Sequence, residues 1–235
     1  MKPEEWLLRQ SLLLGEEATR RLLNATVVVV GLGGVGSYAV EGLTRAGCGS
    51  LVLVDHDRFE ITNLNRQLYA TNQTLDRLKT EVACERVKSI NRDCCVTPLD
   101  VFFSSDTASQ VLDGGPDYVI DAIDTVSSKA DLIVACQGRS VPVVSVLGTG
   151  NRLDPLGFEV TDISRTHTCA LARALRRELR DRGVTEGVEV VFSGERPFRV
   201  DDTEADKRIP GTISAVPAVA GLVAASVVVR RLAQV

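Results

Sequence analysis

Short apolar runs alternate along this chain with amphipathic stretches of helical length. Residues 27–30 are four consecutive valines that lead into a glycine-rich turn, and a second apolar run, residues 51–54, follows after a stretch long enough for one helix. Branched apolar runs of this length are typical of strands that are covered on both faces. The order strand, helix, strand predicts a Rossmann-like, doubly wound α/β fold with a mostly parallel sheet.

The same alternation continues to the C-terminus. An amphipathic opening helix contains Leu7, Leu8, Leu12 and Leu13. We predict further helices over residues 16–23, 76–90, 105–112, 129–137 and 170–182, strands over residues 95–99, 118–123, 141–146, 157–160 and 188–192, and polar loops over residues 57–73 and 195–210. The pattern predicts one domain, residues 1–235, in which a nucleotide-binding half, residues 1–150, is extended by a C-terminal α/β portion, residues 151–235.

An uncharged stretch, residues 211–229, raises the question of a membrane span. A helix from Pro217 to near Arg230 would be about 20 Å long at 1.5 Å per residue. The hydrocarbon core of a bilayer needs about 30 Å. We therefore predict a buried or subunit-contacting helix and no stable membrane insertion.

Composition narrows the class of protein further. The chain has 235 residues, 44% of them apolar, and a formal net charge of -4, so any contact with RNA must be confined to local basic patches. Its start, residues 1–5, lacks the apolar stretch of a signal peptide, which predicts a cytoplasmic protein with free thiols. The six cysteines include no C-x-x-C pair, so a structural zinc site has almost no support.

The glycine turn supplies the first candidate chemistry. Gly31, Gly33 and Gly36 fit the G-x-G-x-x-G spacing, in which absent side chains allow a tight turn, close approach to a ligand and close packing of helix on strand. Asp55 ends the second strand, nineteen residues after Gly36, where a carboxylate can accept hydrogen bonds from a ribose. This motif alone leaves open an NAD-dependent oxidoreductase and a non-catalytic nucleotide-binding scaffold.

Polar residues that follow the second strand distinguish these alternatives. Two cations, Arg66 and Lys79, can neutralise phosphate oxygens, and a late carboxylate, Asp124, can hold a magnesium ion. A hydride-transferring enzyme needs little beyond a ribose acceptor and a backbone cradle. The set Asp57, Asn63, Arg66, Lys79 and Asp124, each near the end of a strand or the start of a helix, therefore favours a nucleoside triphosphate.

These residues form an ordered series that resembles the adenylating domain of the ubiquitin-activating-enzyme superfamily. The series reads RQ at 9–10, GLGGVG at 31–36, VDHD at 54–57, TNLNRQ at 62–67, Lys79 and DAID at 121–124. Further segments resemble the tRNA threonylcarbamoyladenosine dehydratase branch of that superfamily: YVIDAID at 118–124, FEVTDI at 158–163, RRELR at 176–180 and VFS at 191–193. The resemblance extends over nearly the whole chain.

The resemblance implies a role for each matching residue. Gly34 and its glycine neighbours would approach ATP, Asp55 would hold the ribose, and Asp124 would position Mg²⁺. Asn63, Arg66 and Lys79 would bind the phosphates. Arg9 matches an arginine that reaches across a homodimer to the partner's ATP.

The resemblance also implies the reaction. ATP would activate the carboxylate of the threonylcarbamoyl group on a tRNA adenosine as an acyl adenylate, and ring closure would then expel AMP. The C-terminal half, residues 151–235, would serve the substrate and the dimer. An adenylyltransferase for the C-terminal glycine of a ubiquitin-like sulphur-carrier protein is the alternative within the superfamily, and a sulphur-transfer protein partner is left open.

Two features of the second half have competing interpretations. Related enzymes often carry an acyl group on a cysteine, but Cys169, without a nearby base in the sequence, is better explained as a small packed residue at a helix start. A basic cluster is either a solvated helix face, paired with Glu178 and Asp181, or a contact for tRNA phosphates. The cluster consists of Arg173, Arg176, Arg177, Arg180 and Arg182.

Overall fold

A computed structural model describes residues 5–198 and 210–235. Its strands form one seven-stranded sheet in the order β3-β2-β1-β4-β5-β7-β6. Only β6 and β7 pair antiparallel within this sheet, and the other neighbours run parallel. The strands are β1 (Thr26–Val30), β2 (Ser50–Asp55), β3 (Cys95–Asp100), β4 (Tyr118–Asp121), β5 (Val143–Val146), β6 (Phe158–Asp162) and β7 (Glu189–Ser193). The predicted Rossmann-like, mostly parallel α/β fold is confirmed.

Eight α-helices and several single 3-10 turns connect the strands in the described part of the chain. The helices are α1 (Leu8–Leu14), α2 (Glu16–Asn24), α3 (Gly36–Arg45), α4 (Lys79–Ile90), α5 (Ala108–Leu112), α6 (Val126–Gly138), α7 (Ala170–Asp181) and α8 (Ala215–Ala233). The 3-10 turns span Glu5–Leu7, Ile61–Asn63, Ser105–Thr107 and Ile163–Arg165.

The central strand β1 shows why the sheet is covered on both faces. Successive side chains of a strand point to opposite faces. Val27 and Val29 pack with α3, α4 and α8, whereas Val28 and Val30 pack with α5 and α6. All four valines are at most 2% exposed, which explains why this strand is apolar throughout instead of alternating.

The sheet order creates a crevice beside β1. From β1 the chain moves outward through β2 to β3, then returns to place β4 on the other side of β1. Ligands of open α/β sheets bind at such a switch point, outside the carboxyl ends of the strands. The carboxyl ends of β1 and β4 therefore mark the place where a nucleotide site is expected.

Several element boundaries differ from the sequence prediction, and the shifts around α4 and α6 are the largest ones beside the cavity. Helix α4 begins at Lys79 and not at Asp76, because Asp76 has a positive φ of 62° and Leu78 pairs with Arg58 in an isolated antiparallel bridge. Strand β4 ends at Asp121, two residues early, and α6 begins at Val126, three residues early. The connection between β4 and α6 is correspondingly short.

Helix α8 is longer than predicted. Its 19 residues, Ala215–Ala233, span about 28 Å at 1.5 Å per residue, because Pro217 lies within the first turn and the helix continues past Arg230. By length and composition it could cross a membrane, but half of its apolar window is buried inside the fold. Gly221 explains the close packing, since a Cβ atom there would lie 2.2 Å from the carbonyl oxygen of Val35.

The second half of the chain extends the same sheet. β7 pairs with β5 in parallel, and β6 closes the edge in antiparallel fashion. This confirms the C-terminal α/β extension, while the division of roles between residues 1–150 and 151–235 stays a prediction. Most of the loop predicted over residues 195–210 lies outside the described residues.

Candidate functional site

A cavity of about 1300 Å³ lies at the switch point of the sheet. The carboxyl ends of β1, β2 and β4 form its floor, and the start of α4 and residues 210–212 form parts of its wall. Nine of the predicted site residues line this one cavity: Gly31, Gly33, Gly34, Asp55, Asp57, Asn63, Arg66, Lys79 and Asp124. The structure thus brings together residues that are up to 93 positions apart in the sequence.

Two glycines of the turn are required by backbone packing. Gly31 has a φ of +89°, and a Cβ atom there would lie 2.7 Å from the carbonyl oxygen of Ala122. A Cβ on Gly36 would lie 1.7 Å from the carbonyl oxygen of Gly31. Gly33 and Gly34 instead border the cavity, so their backbone is open to a ligand.

Asp55 ties the glycine turn to the end of β2. Its carboxylate accepts hydrogen bonds from the backbone N–H of Leu32 at 2.6 Å and of Asp57 at 2.9 Å. The side chain is nearly buried but still borders the cavity. A carboxylate has about four lone-pair sites, so Asp55 can also accept from a ligand hydroxyl group.

Lys79 is the first residue of α4, and this position directs its side chain toward β2. Its backbone N–H donates to the carbonyl oxygen of Asp57 at 3.0 Å. The ammonium Nζ lies 2.7 Å from Oδ2 of Asp57 and 3.9 Å from Oδ1 of Asp55. An ammonium group carries three donors, so a contact with Asp57 leaves capacity for phosphate oxygens.

Arg66 is a cation without an acidic partner among the described residues. Its guanidinium donates to the carbonyl oxygen of Thr62 at 2.8 Å and to Oδ1 of Asn65 at 3.1 Å. The neighbouring Asn63 uses its side-chain oxygen to accept from the backbone N–H of Glu60 at 3.1 Å, which fixes the 3-10 turn before Arg66. The turn holds an uncompensated positive charge at the cavity wall.

Asp124 follows β4 and carries an exposed carboxylate at the cavity. Within residues 5–198 and 210–235 its side chain makes one hydrogen bond, a 3.4 Å contact with the hydroxyl of Thr125. In nucleotide enzymes Mg²⁺ is usually held by one or two carboxylates together with the substrate's phosphates. The Asp124 carboxylate therefore has the chemistry of one such magnesium ligand.

Some residues of the cavity received no role from the sequence, although Gln67 and His56 fall within the motif series. Gln67 is 6% exposed, and its Oε1 atom is buried without a hydrogen-bond partner in the described part of the chain. Phe102 borders the cavity and makes an edge-to-face contact with His56, with ring centroids 5.0 Å apart. These positions depend on tertiary contacts, which spacing along the chain does not report.

Residues 210–212 form a strap along one side of the cavity. Asn151 exchanges two hydrogen bonds with Gly211, one from each backbone N–H, both at 2.7 Å. The side chain of Asn65 donates to the carbonyl oxygen of Thr212 at 3.1 Å. Because Asn65 also accepts from Arg66, the strap and the cationic wall are physically connected.

Arg9 lies outside the cavity of its own chain. It is exposed on α1, next to the exposed apolar side chains Leu8, Leu12 and Leu13. A role for Arg9 in the site therefore requires a second chain.

The arginine cluster of α7 divides into two groups. Arg176 donates to the carbonyl oxygen of Thr166 at 2.9 Å, and Arg182 contacts Asp131 and Glu178. The remaining three are exposed and have no hydrogen-bond or ion-pair partner among the residues that the structure describes. They are Arg173, Arg177 and Arg180.

Cys169 is 4% exposed and packs at the start of α7. Its sulfur atom caps the helix by accepting from the backbone N–H of Ala172 at 3.5 Å. A buried, capping sulfur argues against an acyl carrier at Cys169, and that role stays an untested prediction.

Comparisons with known proteins agree with this geometry. Residues 7–235 match the model of the ThiF family. The tRNA threonylcarbamoyladenosine dehydratase of Bacillus subtilis is 41% identical over 227 residues, which cover 92% of this chain and 89% of that protein.

Solved structures give the same picture. The crystal structure of Escherichia coli tRNA N6-threonylcarbamoyladenosine dehydratase, TcdA, in complex with AMP has a TM-score of 0.91 and 37% identity, and covers 96% of this chain and 93% of that one. The structure of the same E. coli protein in complex with ATP has a TM-score of 0.90, with the same identity and coverage.

Proposed function

The chain belongs to the ThiF family, and from this premise we propose that it uses ATP to dehydrate threonylcarbamoyladenosine in tRNA. The observation that carries the proposal is the 41% identity to the B. subtilis dehydratase over 92% of the chain. The cavity is consistent with it, because two cations and a free carboxylate, Arg66, Lys79 and Asp124, border one crevice beside a glycine turn.

Carboxylate activation is the first chemical step. The threonyl carboxylate attacks the α-phosphorus of ATP, the bond to the β-phosphate oxygen breaks, and pyrophosphate leaves. The attacking group and the triphosphate are both anionic, so positive charge at the reacting phosphate lowers the barrier. We assign this charge to Arg66 and Lys79, and a bound Mg²⁺, which Asp124 would hold, supplies more of it.

Ring closure is the second step. A carbamoyl nitrogen of the same side chain attacks the acyl carbon, loses its proton, and expels AMP, which keeps one of the former carboxylate oxygens. The nitrogen and the acyl carbon belong to one side chain, so proximity replaces much of the catalytic assistance that a bimolecular attack would need. The net change is loss of one water from the nucleoside while ATP becomes AMP and pyrophosphate.

The exposed arginines of α7 are the tRNA contact in this proposal. Leu171, in the first turn of α7, borders the cavity, so the helix leads away from the reacting centre. Arg173 and Arg177 are one helical turn apart, about 6 Å along the axis. This row can follow a phosphate backbone that extends from a nucleoside held in the cavity.

A homodimer and a cytoplasmic location complete the proposal. Arg9 would reach the ATP of a partner copy, because it is exposed on α1 and does not border its own cavity. The cytoplasm is where a tRNA substrate and ATP meet. The sulphur-transfer partner that the resemblance leaves open is not needed for this chemistry.

Nucleoside mass spectrometry tests the proposal directly. Purified protein is incubated with ATP, Mg²⁺ and tRNA that carries threonylcarbamoyladenosine, and a parallel sample contains a sulphur-carrier protein in place of tRNA. We expect the modified nucleoside to lose one water mass with formation of AMP. If the nucleoside stays unchanged, and AMP formation and ATP–pyrophosphate exchange occur only with the carrier protein, the carrier adenylyltransferase is favoured instead.

A further inference from the structure

An ion pair lies inside the fold directly beneath the turn that carries Asp124. Lys129 of α6 and Asp121 at the end of β4 are both 0% exposed, and Nζ lies 3.0 Å from Oδ2. Lysine and aspartate are almost never fully buried unless they are paired. The cavity contacts described above use neither residue.

The pair holds both backbone groups of one residue. Oδ1 of Asp121 accepts from the N–H of Ile123 at 3.1 Å, and Nζ of Lys129 donates to the carbonyl oxygen of Ile123 at 2.9 Å. Oδ2 of Asp121 also accepts from the hydroxyl of Ser145 on β5 at 2.6 Å. Ile123 immediately precedes Asp124, so these bonds fix the backbone from which the Asp124 side chain extends.

The same turn sets the width of the crevice. The N–H of Ala122 donates to the carbonyl oxygen of Val30 at 2.8 Å, and the carbonyl oxygen of Ala122 faces Gly31 closely enough to exclude a Cβ atom there. A shift of residues 122–124 would therefore move Asp124 relative to the glycine turn. The buried pair stabilises the geometry that relates these two parts of the site.

Stability alone does not explain the pair. Removing two charges from water is unfavourable, and well-packed apolar residues of similar volume often stabilise a core as well as a buried ion pair does. We propose that Lys129 and Asp121 are positioning residues, which hold residues 122–124 so that the Asp124 carboxylate faces the metal–triphosphate end of the nucleotide. The proposal rests on the proposed function for the identity of that ligand.

A charge-free double variant, Asp121→Asn with Lys129→Met, tests the proposal. It leaves no unpaired buried charge, and the asparagine oxygen can still accept from Ile123. Lys88→Met is the matched control, because Lys88 donates to the carbonyl oxygens of Arg92 and Cys94 far from the cavity.

Thermal stability, ATP binding and dehydration kinetics are measured for the wild type, the double variant, Lys129→Met and the Lys88→Met control. We expect the double variant to melt within a few degrees of the wild type, whereas Lys129→Met alone is less stable because Asp121 keeps an unpaired charge. In calorimetric titrations, Mg²⁺ should increase the ATP affinity of the double variant about tenfold less than it increases the ATP affinity of the wild type. The rate constant kcat falls, and KM for tRNA is unchanged.

A folded double variant with wild-type Mg²⁺ dependence in ATP binding and wild-type kcat would overturn the positioning role. If the double variant does not fold, Ser145→Ala decides, because it keeps both charges and removes one bond to Asp121. The role predicts a smaller effect of Mg²⁺ on ATP affinity in Ser145→Ala, and an unchanged effect would contradict it. A wild-type protein that binds Mg²⁺ and ATP but never dehydrates the nucleoside would refute the proposed function and leave the binding test intact.

Discussion

Gln67 borders the cavity, and its buried amide oxygen Oε1 has no hydrogen-bond partner among the described residues. An unsatisfied buried acceptor costs about 1–3 kcal/mol, so a ligand donor gains that much when the Gln67 amide turns toward the cavity. We expect Gln67→Leu to keep or raise the melting temperature of the ligand-free protein and to weaken ATP binding about tenfold.

The control for this prediction is Gln73→Leu, an exposed glutamine in the same loop region that does not border the cavity. Calorimetry of ATP binding and thermal melts are recorded for both variants. Equal ATP affinity in Gln67→Leu and the wild type would show that this amide does not contact the nucleotide.

Arg66 is the cation on which the assigned chemistry depends most. It has no acidic partner in the described part of the chain, so its charge is available to the triphosphate. We expect Arg66→Ala to lower kcat for dehydration by about 10²–10³ fold, the range seen when one preorganised donor to a transition state is removed. Arg139→Ala, which breaks a surface pair with Asp113, should retain wild-type turnover.

The placement of a site residue was predictable where the residue lies next to the end of a predicted strand or the start of a predicted helix. Asp55, Lys79 and Asp124 follow or precede regular elements, and the carboxyl ends of parallel strands meet at one edge, so their shared cavity follows from the sequence pattern. The burial of Gln67 and the pairing of Lys129 with Asp121 were not predictable from spacing, because both depend on tertiary contacts, which for the ion pair join β4, β5 and α6. The chemical roles of the cavity residues stay predictions.

At the scale of elements, α7 offers a row of free positive charge beside the cavity. Arg173→Ala with Arg177→Ala should raise KM for tRNA, leave kcat at saturating tRNA unchanged, and reduce the slope of log affinity against log salt by about two. The reason is that each arginine bound to a phosphate displaces about one counterion from the RNA, so a protein that lacks two of them releases about two fewer counterions when it binds.

Two basic residues at the opposite edge of the sheet provide the control. Lys88→Ala with Arg92→Ala removes the same charge beside β3, and its KM for tRNA should match that of the wild type. Equal losses in the two double variants would mean that net charge, and not the α7 row, sets tRNA affinity.

Helix α8 packs closely on α3 where Gly221 has no side chain. A Cβ at Gly221 would lie 2.2 Å from a backbone oxygen of Val35, so Gly221→Val forces the helices apart and should destabilise the protein by about 1–3 kcal/mol or more. Gly138→Ala, at the end of α6, meets no atom within 4 Å and should be neutral or slightly stabilising. Chemical denaturation measures the free energy of unfolding of both variants. Equal values for Gly221→Val and the wild type would contradict the close packing of α8 on α3.

Element boundaries show the limit of local pattern. The helical pattern of residues 76–90 predicted an early start, but the bridge between Arg58 and Leu78 holds the chain extended until Lys79. The apolar pattern predicted that helix α8 exists but did not predict its length. The last turn of α8 packs on α2, where Ala233 lies in one apolar cluster with Ala18 and Leu22.

At the scale of the whole molecule, the order of the strands was not predictable from the chain. Alternating strands and helices predicted the parallel, doubly wound class, and the structure confirms it. The insertion of β7 between β5 and the antiparallel edge strand β6 depends on long-range pairing. The family match extends over both halves, residues 7–235, which agrees with one continuous sheet.

A shared active site between two copies is a prediction at this scale. If Arg9 acts on the partner's ATP, Arg9→Ala and Arg66→Ala are each inactive as homodimers, but a mixed dimer has one intact site. After subunit exchange at equal concentrations, we expect about a quarter of wild-type activity. An inactive mixture in which native mass spectrometry detects mixed dimers would place Arg9 outside the partner's site.

The central claim is that the threonyl carboxylate becomes an acyl adenylate. The most direct test labels that carboxylate with oxygen-18 in the tRNA nucleoside and follows the label after one turnover with ATP. The account predicts that AMP carries one heavy oxygen atom and that pyrophosphate carries none. Label in inorganic phosphate, or unlabelled AMP beside a dehydrated nucleoside, would contradict it.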